Sequence, residues 1–98
     1  MEKYNYENLC QYMGEKVYLK DDQGKEVELT IAEVNKGQLD GDEWEAFSVI
    51  FQGEKSFFVP QGTYLFCNES FGEKSLFLSP KSETEYETVV TRKRVHAT

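Results

Sequence analysis

The sequence predicts an all-β, mainly antiparallel domain: a small, partly closed barrel or sandwich of about seven strands with one short N-terminal helix. Apolar runs of strand length recur at roughly ten-residue spacing, with Gly, Pro, Asn and Asp between them. Aromatic residues make up 14% of the chain, and such residues favour strands. Because 98 residues leave room for one core, we expect a single β domain over residues 1–98.

The first predicted element is a helix over about residues 6–13. Asn5 suits the N-cap position, and Gly14 suits the position that follows a helix. The apolar residues that share one helical face are Tyr6, Leu9, Cys10 and Met13. A helix of about two turns is unstable alone, so we expect it to dock on an open end or face of the sheet.

Seven strands and a tail account for the rest of the chain. The predicted strands are 16–20, 26–34, 44–52, 56–59, 63–67, 74–79 and 86–91, and a flexible tail covers 92–98. The first two form a hairpin around Asp21–Lys25, with Val27, Leu29 and Ile31 facing inward. Pro60 cannot donate to a ladder, so strand 56–59 ends there or lies at an edge.

The net charge of −7 makes binding to bare nucleic acid unlikely, because an acidic surface repels phosphates. Four carboxylates and a tryptophan form the candidate partner-binding group: Asp40, Asp42, Glu43, Trp44 and Glu45. An exposed Trp44 beside carboxylates would anchor a cationic or carbohydrate partner. The alternatives are a tryptophan at the edge of the core, a solvated acidic loop, and a calcium site whose ligand spacing departs from the usual loop pattern.

The sequence offers no catalytic set, so we expect a protein that is not an enzyme and needs no cofactor or metal. Nucleophilic catalysis requires a nucleophile, a base and an orienting group. The only histidine is His96, in the tail. Cys10 and Cys67 lie far apart in the sequence and match no metal spacing, and we expect both to be free, buried thiols.

The expected location is the cytoplasm. No apolar run approaches the roughly 20 residues that span a bilayer, so we expect no membrane partner. The first residues lack the apolar segment of a signal peptide. In a chain that is not secreted, free thiols are the expected state of Cys10 and Cys67.

Four short motifs occur in the chain in an order that is typical of one protein family. They are Phe47-Ser-x-x-Phe51, Pro60-Gln-Gly-Thr-Tyr64, Leu76-Phe-Leu-x-Pro80 and Tyr86-Glu-x-Val89. The set resembles a family of small bacterial single-domain proteins of unknown function, over roughly residues 6 to 90. The resemblance implies a short β-rich fold. It also implies that members can occur near genes for phage-tail-like or collar-type surface proteins, and it supplies no site residues.

Taken together, these features predict a non-catalytic protein-interaction module whose specific partner the sequence does not name. The candidate surfaces are the acidic loop around Trp44, the Pro60–Tyr64 corner and any unpaired sheet edge. One alternative is an accessory protein of a phage-tail-like or collar-type structure. Another is an acidic mimic of nucleic acid that inhibits a DNA-processing enzyme. A homo-oligomer formed through a sheet edge is a further possible assembly.

Overall fold

The computed structural model describes residues 3–20 and 24–93 and forms a closed, six-stranded antiparallel barrel with one short helix. The elements are α1 (Tyr6–Gln11), β1 (Lys16–Lys20), β2 (Glu26–Lys36), β3 (Trp44–Gln52), β4 (Gly62–Asn68), β5 (Gly72–Pro80) and β6 (Glu85–Lys93). Around the barrel the strand order is β1-β2-β3-β6-β5-β4. The predicted fold class is confirmed, with a barrel in place of the sandwich alternative and six described strands where about seven were expected.

The core fills the inside of the barrel with side chains from every strand. Alternate residues face inward, as the pleat requires. The residues of β3 that face inward are fully or almost fully buried: Phe47, Val49 and Phe51. The other strands contribute Val17, Leu19, Leu29, Ile31, Phe66, Leu76, Leu78 and Tyr86. Barrel closure therefore buries the aromatic surface that an open sheet would expose.

Helix α1 is shorter than predicted and buries only part of its predicted apolar face. The Asn5 side chain caps it by accepting a hydrogen bond from the Asn8 N–H at 2.8 Å. Leu9 is fully buried, but Met13 lies beyond the helix and is exposed. Cys10 is exposed as well, which corrects the expectation of a buried thiol. Leu9 is therefore the one residue of the described helix that is buried.

Strand β2 contains a bulge that the alternation pattern does not reveal. Its register against β3 shifts between Ile31 and Glu33. Before the bulge Leu29 and Ile31 face the core, and after it Val34 packs against the core. One inserted residue moves the following side chains to the opposite face. The bulge therefore keeps Val34 inside and Glu33 in solvent along one long strand.

The predicted strand 56–59 is wrong, because these residues form no ladder. The alternating apolar residues of this segment still reach the core without a strand, since Phe57 packs against the core and Val59 is buried in it. The Val59 N–H donates to the Tyr86 hydroxyl at 3.1 Å in place of a strand partner. Segment 53–61 thus crosses the end of the barrel that lies opposite α1. Tyr64 stabilises it by donating its hydroxyl proton to the Pro60 carbonyl at 2.6 Å.

The predicted tail begins too early, because Arg92 and Lys93 belong to β6. Arg92 is held by two groups at the helix end of the barrel. Its Nε lies 2.7 Å from Glu45 Oε1, and its Nη2 donates to the Tyr4 carbonyl at 2.8 Å. The rest of the predicted tail, including His96, lies outside the described residues, as do positions 21–23 of the predicted hairpin turn.

Tyr4 seals the helix end of the barrel from inside. Its ring packs edge-on against Phe71 and tilted against Phe47, with centroids 5.1 and 5.8 Å away. Its hydroxyl lies 2.7 Å from the Thr88 hydroxyl of β6. Burial is the main cause that raises the pKa of Tyr4 far above its ordinary value. Tyr4 is therefore part of the core.

Candidate protein-binding surface

The loop between β2 and β3 is folded back onto the start of β3. The Gly37 N–H donates to the Ala46 carbonyl at 2.8 Å, and the Gly41 N–H donates to the Trp44 carbonyl at 2.9 Å. The loop and the start of β3 also pack closely. A Cβ added at Gly37 would lie 3.2 Å from the Ala46 Cβ. Backbone hydrogen bonds thus fix the shape of loop 37–43.

Two of the five predicted partner-binding residues have structural roles. The Asp40 carboxylate accepts a hydrogen bond from the Ala46 N–H at 3.1 Å, which closes the loop. The Glu45 carboxylate pairs with Arg92, and only 14% of its side chain is exposed. The Arg92 guanidinium also lies 5.8 Å from the centroid of the Phe47 ring. Asp40 and Glu45 therefore position the loop and close the barrel.

The other three predicted residues lie at the surface. Asp42 and Glu43 are exposed in the loop, and Trp44 is 42% exposed at the first position of β3. The Trp44 side chain points to the opposite side of β3 from the inward Phe47. It therefore shares the outer face of the strand with Ala46. Here the structure brings an exposed indole and two carboxylates together on the outside of the barrel.

A groove of about 350 Å³ runs over the outer face of β3 and β6 beside this loop, and we call it the outer groove. Ala46 and Ser48 of β3 form part of it, together with Leu39 of the loop and Val89 of β6. Leu39 is 66% exposed and Val89 is 65% exposed. Sequence reasoning missed both residues. Leu39 could have been noticed as the single large apolar residue between Gly37 and Glu43.

A second cleft, of about 250 Å³, lies at the opposite end of the barrel. Phe58 and Pro60 of segment 53–61 line it, together with Lys25, Val27 and Tyr64. This cleft includes the Pro60–Tyr64 corner that the sequence indicated as a surface. Its Tyr64 hydroxyl is already hydrogen-bonded to the Pro60 carbonyl, so that side chain stabilises the corner.

Among residues 3–20 and 24–93, no group of three or more His, Cys, Asp or Glu side chains converges as a metal site would require. The exposed carboxylates of the loop are therefore a charged surface in the described part of the chain. The described helix is also too short and too polar to cross a membrane.

Comparisons with known proteins give one match. No curated protein and no solved structure matches the chain. A family described as a domain of unknown function, DUF6916, matches residues 4–90. The match covers the helix, the first five strands and most of β6. The chain belongs to this family of domains of unknown function, DUF6916.

Proposed function

We propose that this domain is a protein-binding module without chemistry of its own, and that the outer groove and the adjoining loop form its binding surface. One observation carries the proposal. Leu39, Trp44 and Val89 are exposed on one face of a barrel whose other large side chains are mostly buried. Neighbouring exposed apolar side chains on a soluble fold are typical of interaction sites.

The shape of the surface fits the insertion of a partner side chain. Small residues, Ala46 and Ser48, line the groove together with the larger Leu39 and Val89. A partner can therefore bury apolar groups against Leu39 and Val89. Trp44 adds a large ring beside the groove, and tryptophan is enriched among the residues that dominate binding energies. Because backbone hydrogen bonds hold the loop, little conformational entropy is lost on binding.

The charges around the groove favour a basic partner. Asp42 and Glu43 are exposed beside Trp44, and Glu87 lines the groove. The whole chain carries a net charge of −7. Such a negative field increases the rate at which cationic partners associate with the chain, and it slows the association of acidic partners. Added salt should therefore slow association more than it changes dissociation.

One of the two thiols, that of Cys67, supports the absence of chemistry. Cys10 is exposed, and Cys67 is half-buried on β4. Desolvation is the main cause that raises the pKa of Cys67, and the Glu73 carboxylate near its sulfur acts in the same direction. A raised pKa leaves less thiolate at neutral pH, so Cys67 is a poor nucleophile.

Photo-crosslinking from the groove tests the proposal. A photoreactive amino acid at Gln38, which lines the groove, should form adducts with a specific protein in extracts of the cells that produce the chain. Leu39→Asp in the same background should reduce the adduct yield by about tenfold, because a buried apolar anchor is replaced by a charge.

Phe77→Asp is the matched control. Phe77 is 52% exposed on the outer side of β5, outside the groove, so this change adds the same charge at a similar exposure. Its adduct yield should equal that of the unsubstituted chain. Equal loss in both variants, or adducts that persist in Leu39→Asp, would contradict the proposed surface.

Two narrower hypotheses from the sequence stay predictions. Mimicry of nucleic acid would rely on Asp42 and Glu43, since Asp40 and Glu45 have internal partners. It predicts salt-sensitive inhibition of a DNA-processing enzyme that Asp42→Asn and Glu43→Gln together abolish. A role in a phage-tail-like or collar-type structure predicts that the crosslinked protein is a structural component of such a particle.

A further inference from the structure

Among the described residues that line the outer groove, Glu87 is the only one with a charged side chain. The other lining residues are uncharged, and Leu39 and Val89 are the most exposed apolar ones. Asp42 and Glu43 belong to the adjoining loop and are not among the lining residues. A carboxylate beside an apolar surface suits a group that is apolar along its length and cationic at its end.

The pairing of β6 with β3 fixes where this carboxylate lies along the groove. Glu87, Val89 and Thr91 alternate along β6 on its outer face. Two residues of a strand rise by about 7 Å, so Val89 lies one such step from Glu87 and Thr91 lies two steps away. Leu39 belongs near the Thr91 end, because its loop is hydrogen-bonded to Ala46, and Ala46 is opposite Thr91. An apolar stretch therefore leads along the groove to the carboxylate.

A second carboxylate makes the same end of the groove more negative. Ile50 of β3 is paired with Glu33 of β2 on one side and with Glu87 of β6 on the other. Paired residues face the same side of a sheet, and Ile50 alternates with the inward Val49 and Phe51. Both glutamates therefore project from the outer face at the level of Ile50.

Glu87 already pairs with a lysine of the same chain. Its Oε1 lies 3.6 Å from the Lys81 Nζ. The Lys81 side chain is 52% exposed, whereas that of Glu87 is 23% exposed. An ion pair with one well-exposed member contributes little, so an incoming ammonium group can replace Lys81 at small cost. The existing pair also shows that this carboxylate is placed to accept a single ammonium group.

We propose that the outer groove takes up one lysine side chain of the partner, and that Glu87 is the residue that selects it. This assignment rests on the proposed function and names the group that the partner inserts. The methylene stem of that lysine lies along Val89, and its ammonium group reaches Glu87 in place of Lys81. Arginine fits less well, because a carboxylate side chain that is mostly buried offers one oxygen more readily than the two that a guanidinium group prefers.

Titration followed by nuclear magnetic resonance tests the assignment without a known partner. Nα-acetyl-lysine amide should shift the backbone amide signals of Gln38, Ser48 and Val89, with a dissociation constant on the order of 1–10 mM for so small a ligand. Nα-acetyl-norleucine amide has the same stem without the ammonium group. It should bind at least about threefold more weakly at low salt, and added salt should reduce this difference.

Two substitutions in the full chain should act in opposite directions on the lysine probe. Glu87→Gln should weaken its binding by about fivefold and leave that of the norleucine probe within about twofold, because the side-chain size is kept and the charge is removed. Lys81→Met should strengthen binding of the lysine probe by about threefold, because the internal ammonium group no longer competes for Glu87.

The ion pair of Lys55 with Glu83 supplies matched controls. Its charged atoms lie 4.0 Å apart, both side chains are 82% exposed, and neither residue lines the groove. Glu83→Gln and Lys55→Met make the same charge changes and should alter binding of the lysine probe by less than about 1.5-fold. Equal responses at the two ion pairs would overturn the assignment, because they would report only the overall charge. Equal binding of the lysine and norleucine probes would overturn it too, as would tighter binding of Nα-acetyl-arginine amide.

Photo-crosslinking separates a failure of this assignment from a failure of the binding surface. With the photoreactive amino acid at Gln38, Glu87→Gln should reduce the adduct yield by about threefold, and Leu39→Asp should reduce it by about tenfold. If only Leu39→Asp reduces the yield, the surface stands and the lysine assignment is wrong. If the lysine probe binds in the groove but no adducts form, the lysine site stands and the proposed protein-binding function is wrong.

Discussion

The two sides of β6 differ in how far they are paired with their neighbours. Toward β3, the ladder runs the length of both strands, and the side chains below it are Phe47, Phe51 and Tyr86, all buried. Toward β5, the ladder stops after Pro80↔Tyr86 and Ser79↔Glu87, and the outer faces carry the exposed Phe77 and Val89.

This difference teaches which aromatic residues hold the fold and which are available for contacts. Phe47 and Phe77 are the same residue type on strands of the same barrel, yet one is buried and the other half-exposed. Burial of a phenylalanine is worth about 1.5–3 kcal/mol relative to exposure. The inward Phe47 should therefore contribute strongly to stability, and the outward Phe77 should contribute little to it.

The largest effect is expected from Phe47→Ala. This change removes a fully buried ring that contacts Tyr4, and such truncations cost about 3–5 kcal/mol of unfolding free energy. Since small domains have about 5–15 kcal/mol in total, the variant should be near the limit of folding. Urea denaturation followed by circular dichroism measures the loss, and Phe47→Leu supplies a milder variant. A loss below 1 kcal/mol would mean that the β3 side does not carry the core.

Arg92→Ala should have the next largest effect, a loss of about 2 kcal/mol. It leaves the Glu45 carboxylate without its cation and the Tyr4 carbonyl without its donor. Lys55→Ala removes a fully exposed ion pair with Glu83 and should change stability by less than about 0.5 kcal/mol. Equal effects of the two substitutions in the same denaturation experiment would show that Arg92 is a surface residue in solution.

Tyr4→Phe should cost about 1 kcal/mol near neutral pH, because it deletes the hydroxyl that contacts Thr88. Burial raises the pKa of Tyr4 above its ordinary value of 10.0. The folded state therefore keeps its proton to higher pH than the unfolded state. The stabilisation is complete below about pH 10 and is lost as the pH rises toward the folded pKa. The Tyr4→Phe variant should lose less stability than the unsubstituted chain as the pH rises over this range. Thermal melts of both proteins at a series of pH values would measure the difference. Parallel curves would contradict the burial of Tyr4.

The smallest effect is expected from Phe77→Ala on the β5 side. Because Phe77 is exposed, its truncation should change the unfolding free energy by less than about 0.5 kcal/mol. The same denaturation series gives this value beside that of Phe47→Ala. A loss comparable to that of the Phe47 variant would remove the distinction between the inward and the outward phenylalanine.

Much of this architecture follows from local patterns. The turn residues and the alternation of Val27, Leu29 and Ile31 predict the hairpin of β1 and β2, since period two is the signature of a strand with one buried face. The same reasoning fails for strand 56–59. Phe57 and Val59 alternate as strand residues do, but long-range contact with Tyr86 holds them without a ladder.

The proposed binding surface is harder to predict, because it depends on which strands become neighbours. Trp44 was identified from its position among carboxylates, and the structure places it at the surface. The sequence does not show that Val89 lies on the same face as Trp44, since only the pairing of β3 with β6 brings these distant residues together. The sequence groups Glu45 with the exposed carboxylates, because its partner Arg92 lies in the predicted tail.

The position of β6 has a consequence for how the chain is made. The strand is the last described element, yet it lies between β3 and β5 in the barrel. During synthesis on the ribosome, β3 therefore waits without its second neighbour while some thirty further residues emerge. Its Phe47–Phe51 stretch is exposed during that time, and it is strongly apolar. Chains that terminate before Glu85 would keep this stretch permanently open, so they should be the species that chaperones bind and proteases remove.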